Sequence, residues 1–139
     1  MADCVFCAIA TGAPAHVLHQ DERVIAILDR APLIAGHALV LPRAHVVTLD
    51  DLAPDLVAPL FTVVQRISRA FPVALAADGS FTAINTRVSQ TVPHLHVHVV
   101  PRRKGDGLFR AGMVWVRRPY RDGEAGAIAE KLRAALRSV

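Results

Sequence analysis

Pro93-His94-Leu95-His96-Val97-His98-Val99-Val100-Pro101 is the stretch from which the rest of this chain can be read. Histidine alternates with an aliphatic residue across it, and successive side chains of a strand point to opposite faces. His94, His96 and His98 are therefore expected on one face, lining a cleft, with Leu95, Val97 and Val99 on the other, against a core. Alternate residues lie roughly 6.6 Å apart along a strand, so three imidazoles spread over about 13 Å and suit an extended ligand. A core face would carry Val or Ile, since His is only intermediate in burial. The triplet alone leaves three readings open. These are a partly exposed sheet face, a metal site with histidines two apart as ligands, and nucleophilic catalysis by an imidazole.

Length and composition bound the answer. The 139 residues predict one domain, 1–139, large enough for a single core. Hydrophobic residues make up 53% but are scattered between charges, and no uninterrupted apolar run approaches the roughly 20 residues of a membrane helix. No basic segment followed by an apolar one opens the chain, so a soluble, cytoplasmic protein without membrane partners is expected. The formal charge is +4, and the basic residues gather at Arg102, Arg103, Lys104, Arg110, Arg117, Arg118 and Arg121. That sign suits a phosphate-bearing partner, and equally a solvated face. Neither an aromatic platform nor a nucleic-acid motif accompanies it, so no nucleic-acid partner is expected.

The only two cysteines, Cys4 and Cys7, have the spacing of a zinc knuckle, and a short cytoplasmic chain has little use for a structural disulfide. Two thiolates leave a tetrahedral ion two ligands short, so histidines from elsewhere must complete such a site. Two small buried thiols without a metal remain the alternative.

Apolar runs and turn signals place the other elements. Val17-Leu18 and Val24 to Leu28 read as strands joined through Gln20 to Arg23, Ala38 to Leu41 as a third strand ended by Pro42, and Phe81 to Asn85 as a fourth. Leu56, Val57, Leu60, Phe61, Val63, Val64, Ile67 and Phe71 recur at helical steps. The spacing predicts one long helix from Pro54, with Asp50 or Asp51 as cap, that begins later than Pro54 or kinks at Pro59 and is ended by Pro72. Met113 to Val116 could add a strand, and Ala125, Ile128, Ala129, Leu132 and Leu136 mark a terminal helix. The whole is an α+β domain, an antiparallel sheet of about five strands covered by one long helix, with a short N-terminal and a C-terminal helix.

Gln90 to Arg102, around the triplet, closely resembles the signature strand of the histidine triad (HIT) family of nucleotidyl hydrolases and transferases. Leu28 to His45 is similar to that family's other recurrent stretch, and Cys4-Val5-Phe6-Cys7 to the amino terminus of its bacterial members. The resemblance spans about 4–104 and leaves 105–139 as an extension. It implies a HIT-like fold, a two-fold homodimer, and a nucleotide substrate, most simply a purine nucleoside phosphate. His96 would attack the α-phosphorus to form a nucleotidyl-histidine, His98 would donate to the phosphate or leaving group, and His37 would orient or polarise. Asp29 would hold the ribose hydroxyls, with Asn85, Gln90, Thr91 and His98 contacting phosphate or ribose. Cys4, Cys7, His45 and His94 would bind one structural zinc per chain. The loop Thr86-Arg87-Val88-Ser89 departs from the glycines that many members use to hold phosphate. Two other functions stay open: a zinc-dependent hydrolase with the triplet as ligands, and a nucleotide-binding module with little turnover. Dinucleoside polyphosphates, nucleoside phosphoramidates and aminoacyl adenylates are not distinguished as substrates.

Overall fold

The computed structural model describes residues 3–112 and 115–139. Five strands, β1 (Val17–Gln20), β2 (Val24–Leu28), β3 (Ala38–Pro42), β4 (Gly79–Ala83) and β5 (Val97–Arg102), form one antiparallel sheet in the order β1-β2-β3-β5-β4. Three helices accompany it: α1 (Val5–Ala10), α2 (Pro54–Leu75) and α3 (Glu124–Leu136). The β1–β2 turn is held by Asp21, whose Oδ1 accepts from the backbone N–H of Arg23 at 2.8 Å and of Val24 at 2.9 Å. The fold is thus the expected sheet, long helix and two smaller helices.

The period of two along the strands separates two layers. Val24, Ala26, Val40, Val97 and Val99 face α2, where Leu60, Val64, Ile67 and Phe71 meet Ala129 and Leu132 of α3 in the main core. Ile25, Ile27, Leu39 and Leu41 face the other way, against Phe6 of α1. His98 pairs in register with Leu39, and opposed residues of an antiparallel pair share a face. The histidines therefore belong to the second layer, while Leu95, Val97 and Val99 belong to the main core.

Several boundaries differ from the sequence reading. β5 begins at Val97, so His94 and His96 sit on chain that is not paired in the sheet. Continuing the β3–β5 register would bring Pro42 opposite Leu95, and proline has no N–H to offer a ladder. Instead the Leu95 N–H bonds the Val46 carbonyl at 2.6 Å. Neither Asp50 nor Asp51 caps α2; both lie in a short 3-10 helix, Leu49–Asp51, and α2 starts at Pro54 after Ala53. The helix also runs through Pro59 and Pro72. Each proline removes one donor; the carbonyl four residues before Pro59 belongs to exposed Asp55, which water can serve. α2 ends at Ala76, left-handed at φ 53°, where N–H groups close onto the Phe71 and Pro72 carbonyls. β4 stops at Ala83, short of Ile84 and Asn85. Of the strand expected at Met113–Val116, the first two residues lie outside the described ones, and Trp115 and Val116 are in no strand.

Gly36 positions the loop between β2 and β3. Its φ is 103°, and a Cβ there would lie 2.5 Å from Leu75 Cδ1 and 3.2 Å from Pro101 Cγ. Only glycine lets this loop pass between the end of α2 and β5, and the loop carries Asp29 and His37 to the site. Among the described residues no helix is long and apolar enough to cross a membrane.

Candidate functional site

Backbone groups of known polarity fix the histidine protons. The Leu33 N–H donates to His37 Nδ1 at 3.0 Å, so that nitrogen is bare and the neutral ring carries its proton on Nε2. His37 Nε2 lies 2.9 Å from His98 Nδ1 and donates to it, which leaves His98 with an Nε2–H. His96 Nδ1 lies 2.7 Å from the His94 carbonyl, and a carbonyl only accepts, so His96 carries its proton on Nδ1 and keeps a bare Nε2. By the same logic His94 Nε2 donates to the Pro42 carbonyl at 2.8 Å, leaving Nδ1 bare. The opposite tautomer of His37 would set two buried donors against each other. Each unmade buried bond costs about 1–3 kcal/mol, enough to hold that tautomer below about one part in ten.

His37 and His94 are fully buried, and His96 and His98 nearly so. Burial, then the neighbouring imidazoles and Arg117, pushes His98 down to about 3. Burial pushes His37 down to about 4, and it lowers His96 as well. All three rings are neutral at pH 7. Together His96 and His98, 4.9 Å apart between ring centres, offer one unprotonated nitrogen and one N–H.

Both rings open on a cleft of about 520 Å³. Phe6 and Ile9 of α1 with Ile27, Leu39 and Val92 give it apolar lining. Asp29 also lines it; its Oδ1 accepts from the Ala31 N–H at 2.9 Å and its Oδ2 accepts from Arg117 at 2.6 Å. Trp115 lies edge-on to His98, ring centres 4.8 Å apart. Neither Trp115 nor Arg117 was singled out as a site residue from sequence, because a lone aromatic and one arginine among many carry no local signal. Thr91 lines the cleft; Asn85 and Gln90 are not among its lining residues. The Gln90 amide instead bonds the Val47 and Val92 carbonyls and accepts from the Arg87 N–H, holding the loop before the triplet. Arg87 pairs with Asp50 at 2.9 Å, and both Arg87 and Ser89 take left-handed backbone, φ 65° and 61°.

A second cluster lies beside the first. Cys4 Sγ is 3.4 Å from His94 Nδ1, and Cys7 Sγ is 3.2 Å from His45 Nδ1 and 3.6 Å from His94 Nδ1. All four ligand atoms fall within 4.8 Å of one another. Ligands of a tetrahedral zinc sit about 3.5 Å apart for the usual N and S bond lengths, so the donor set and its spacing fit such an ion. His94 faces it with the lone pair that the Pro42 bond leaves free.

A family model described as the HIT domain matches residues 10–105. An uncharacterized HIT-like protein of Mycobacterium tuberculosis is 44% identical over 133 residues, which is 93% of this chain and 92% of that protein. An adenylylsulfatase of Arabidopsis thaliana is 36% identical over 110 residues, 77% of this chain and 56% of the relative. Among solved structures, a zinc-bound histidine triad family protein from Mycobacterium smegmatis aligns at a TM-score of 0.83 and 43% identity, over 99% of this chain and 95% of that one.

Burying neutral histidines ties stability to pH. In an unfolded chain His37 and His98 take up protons near pH 6.5, whereas in the native protein they resist until about 4 and about 3. Their contribution is therefore complete above about pH 6.5 and is lost as pH falls toward those lower values. The slope reaches about 1.4 kcal/mol per pH unit for each ring. Denaturant midpoints taken from pH 7.5 down to 5 should fall, and fall less steeply in His98→Gln. A midpoint that stays level or rises on acidification would contradict neutral burial.

Proposed function

The chain belongs to the HIT domain family, and on that premise we propose that it is a nucleotide hydrolase or nucleotidyl transferase working at the α-phosphate through His96. The observation that carries this reading is the His96 Nδ1 bond to the His94 carbonyl, which leaves Nε2 as a free lone pair in the cleft beside a ring that presents an N–H. The base would lie between Phe6, Ile9, Ile27 and Leu39, an apolar slot of a size that suits a purine. The ribose would bind Asp29. The His96 lone pair attacks the α-phosphorus, the bond to the leaving group breaks, and the departing atom takes that electron pair with the proton from His98 Nε2. Water or another acceptor then attacks the nucleotidyl-histidine, the P–N bond breaks and the pair returns to His96, and the proton that the attacking group sheds restores the Nε2–H of His98. His37 acts as a positioning residue by holding His98 in the donating tautomer. Dinucleoside polyphosphates, nucleoside phosphoramidates and acyl or sulfuryl adenylates all present the required α-phosphorus.

The hydrogen bonds favour this over a metal site built from the triplet. The Nδ1 atoms of His96 and His98 are engaged with the His94 carbonyl and with His37, and His94 alone faces the cysteines. We assign Cys4, Cys7, His45 and His94 to one structural zinc, a reading supported by their spacing and by the zinc-bound Mycobacterium smegmatis protein. Bound there, zinc would tie the start of α1 to the segments after β3 and before β5. The free thiols of both cysteines suit the reducing cytoplasm, where we place the protein. A homodimer would join the exposed edge of β4 and the outer face of α2 to those of a second copy.

Two outcomes follow. His96→Ala should reduce turnover to background, keep the fold and bind nucleoside monophosphate still, and abolish the acid-labile, base-stable protein adduct that quenched wild-type reactions with labelled substrate should show. Adduct formation or near wild-type turnover by His96→Ala would overturn the assignment, and nucleotide binding without product by the wild type would point to a binding module. Protein purified without chelator and with reduced thiols should hold about one zinc per chain, with a lower thermal midpoint after Cys4→Ser. Less than about a tenth of an equivalent would leave the cluster as buried thiols and imidazoles.

A further inference from the structure

The extension after β5 folds back over the site. Arg118 N–H bonds the Pro32 carbonyl at 2.7 Å, and Tyr120 Oη accepts from the Gly36 N–H at 3.1 Å. Residues 117–120 are thereby fastened along the loop that carries Asp29 and His37. Arg117 lines the cleft together with His96 and His98, and its guanidinium bonds both Asp29 Oδ2 and the Ala31 carbonyl. The Asp29 side chain is only 12% exposed, against 38% for Arg117. One carboxylate oxygen accepts from the Ala31 N–H and the other from Arg117, so a ribose diol that is to bind both oxygens competes with Arg117 for this group.

The charge balance of the cleft points the same way. His37 and His98 are neutral, so the imidazoles offer hydrogen bonds without positive charge. Arg87, in the loop before the triplet, is committed to Asp50 and does not line the cleft. Among the described residues the arginines lining it are Arg30 and Arg117, and only Arg117 is paired to the carboxylate that the sugar requires. The Arg117 end of the pair is open to solvent, which weakens the pair and lets the guanidinium swing away, and a guanidinium fork matches phosphate oxygens.

We propose that Arg117 is an exchangeable specificity residue: the ribose displaces it from Asp29, and the freed guanidinium pairs with the phosphate, so that binding is coupled to an anionic group on the nucleoside. This rests on the proposed nucleotide reading and on Asp29 as the ribose contact. An uncharged nucleoside must break the Asp29–Arg117 pair and gives Arg117 nothing in return. A nucleoside 5′-monophosphate breaks the same pair and forms a new one.

The test is calorimetric titration of the full-length protein with adenosine and with its 5′-monophosphate, in the wild type, Arg117→Gln and Arg117→Lys. In Arg117→Gln the nucleoside should bind about threefold more tightly, because Asp29 is uncovered. The monophosphate should bind about tenfold more weakly, because a charge-assisted bond to phosphate is lost. Arg117→Lys keeps the charge and should hold most of the monophosphate affinity, and it carries the comparison if the Gln variant melts at a lower temperature. Equal changes for the two ligands, or no change in either, would overturn the proposal while leaving the nucleotide reading standing. A wild type that binds neither ligand, nor any other purine nucleoside or monophosphate, would overturn both.

Discussion

The bond from the Leu33 N–H to His37 Nδ1 is the constraint on which the chemistry of this site depends. A backbone amide can only donate, so it forces the His37 proton onto Nε2. That forces His98 Nδ1 to accept and leaves His98 with the one proton it can give to a ligand. The amide is itself positioned by the tight loop that Gly36 permits at φ 103°. Burial completes the arrangement, because two adjacent imidazoles kept well below their ordinary pKa stay neutral and retain a single defined tautomer. Geometry and protonation are therefore one property here.

His94 joins this chain to the cysteine cluster. Its ring faces Cys4 and Cys7 through Nδ1 and is anchored to Pro42 through Nε2, while its own carbonyl accepts from His96. The residue that fixes the tautomer of His96 is thus the same one that completes the metal-competent set. That backbone is unpaired in the sheet before Val97, so side-chain anchors do the work that a strand ladder does elsewhere. Losing the cluster would loosen the carbonyl that keeps His96 Nε2 bare, without any need for the metal to touch substrate.

Much of this was readable in the chain. Alternation from His94 to Val99 put the imidazoles on one layer and the aliphatics in the main core, and helical spacing from Leu56 to Phe71 found α2. The Cys4, Cys7, His45 and His94 set also came together. What escaped had physical reasons. The helix-breaking tendency of Pro59 and Pro72 was outweighed by the buried stripe of Leu60, Ile67 and Phe71. Pro42 ended a ladder whose partner pattern still looked like strand. The roles of the Leu33 amide and the Pro42 carbonyl belong to backbone groups that every residue carries, so no side-chain pattern announces them. Arg117 was one of a basic cluster in which a solvated face and a phosphate contact look alike, and only the fold brings it to Asp29.

The central claim, that backbone hydrogen bonds assign each proton of the triad, is open to a direct reading by nitrogen-15 NMR of histidine-labelled protein at pH 7. Long-range couplings from the ring carbons identify which nitrogen is protonated, with His37→Gln, His96→Gln and His98→Gln supplying the assignments. The account predicts an Nδ1–H tautomer for His96 and Nε2–H tautomers for His37 and His98, all neutral. An Nε2–H tautomer or a protonated ring at His96 would contradict it.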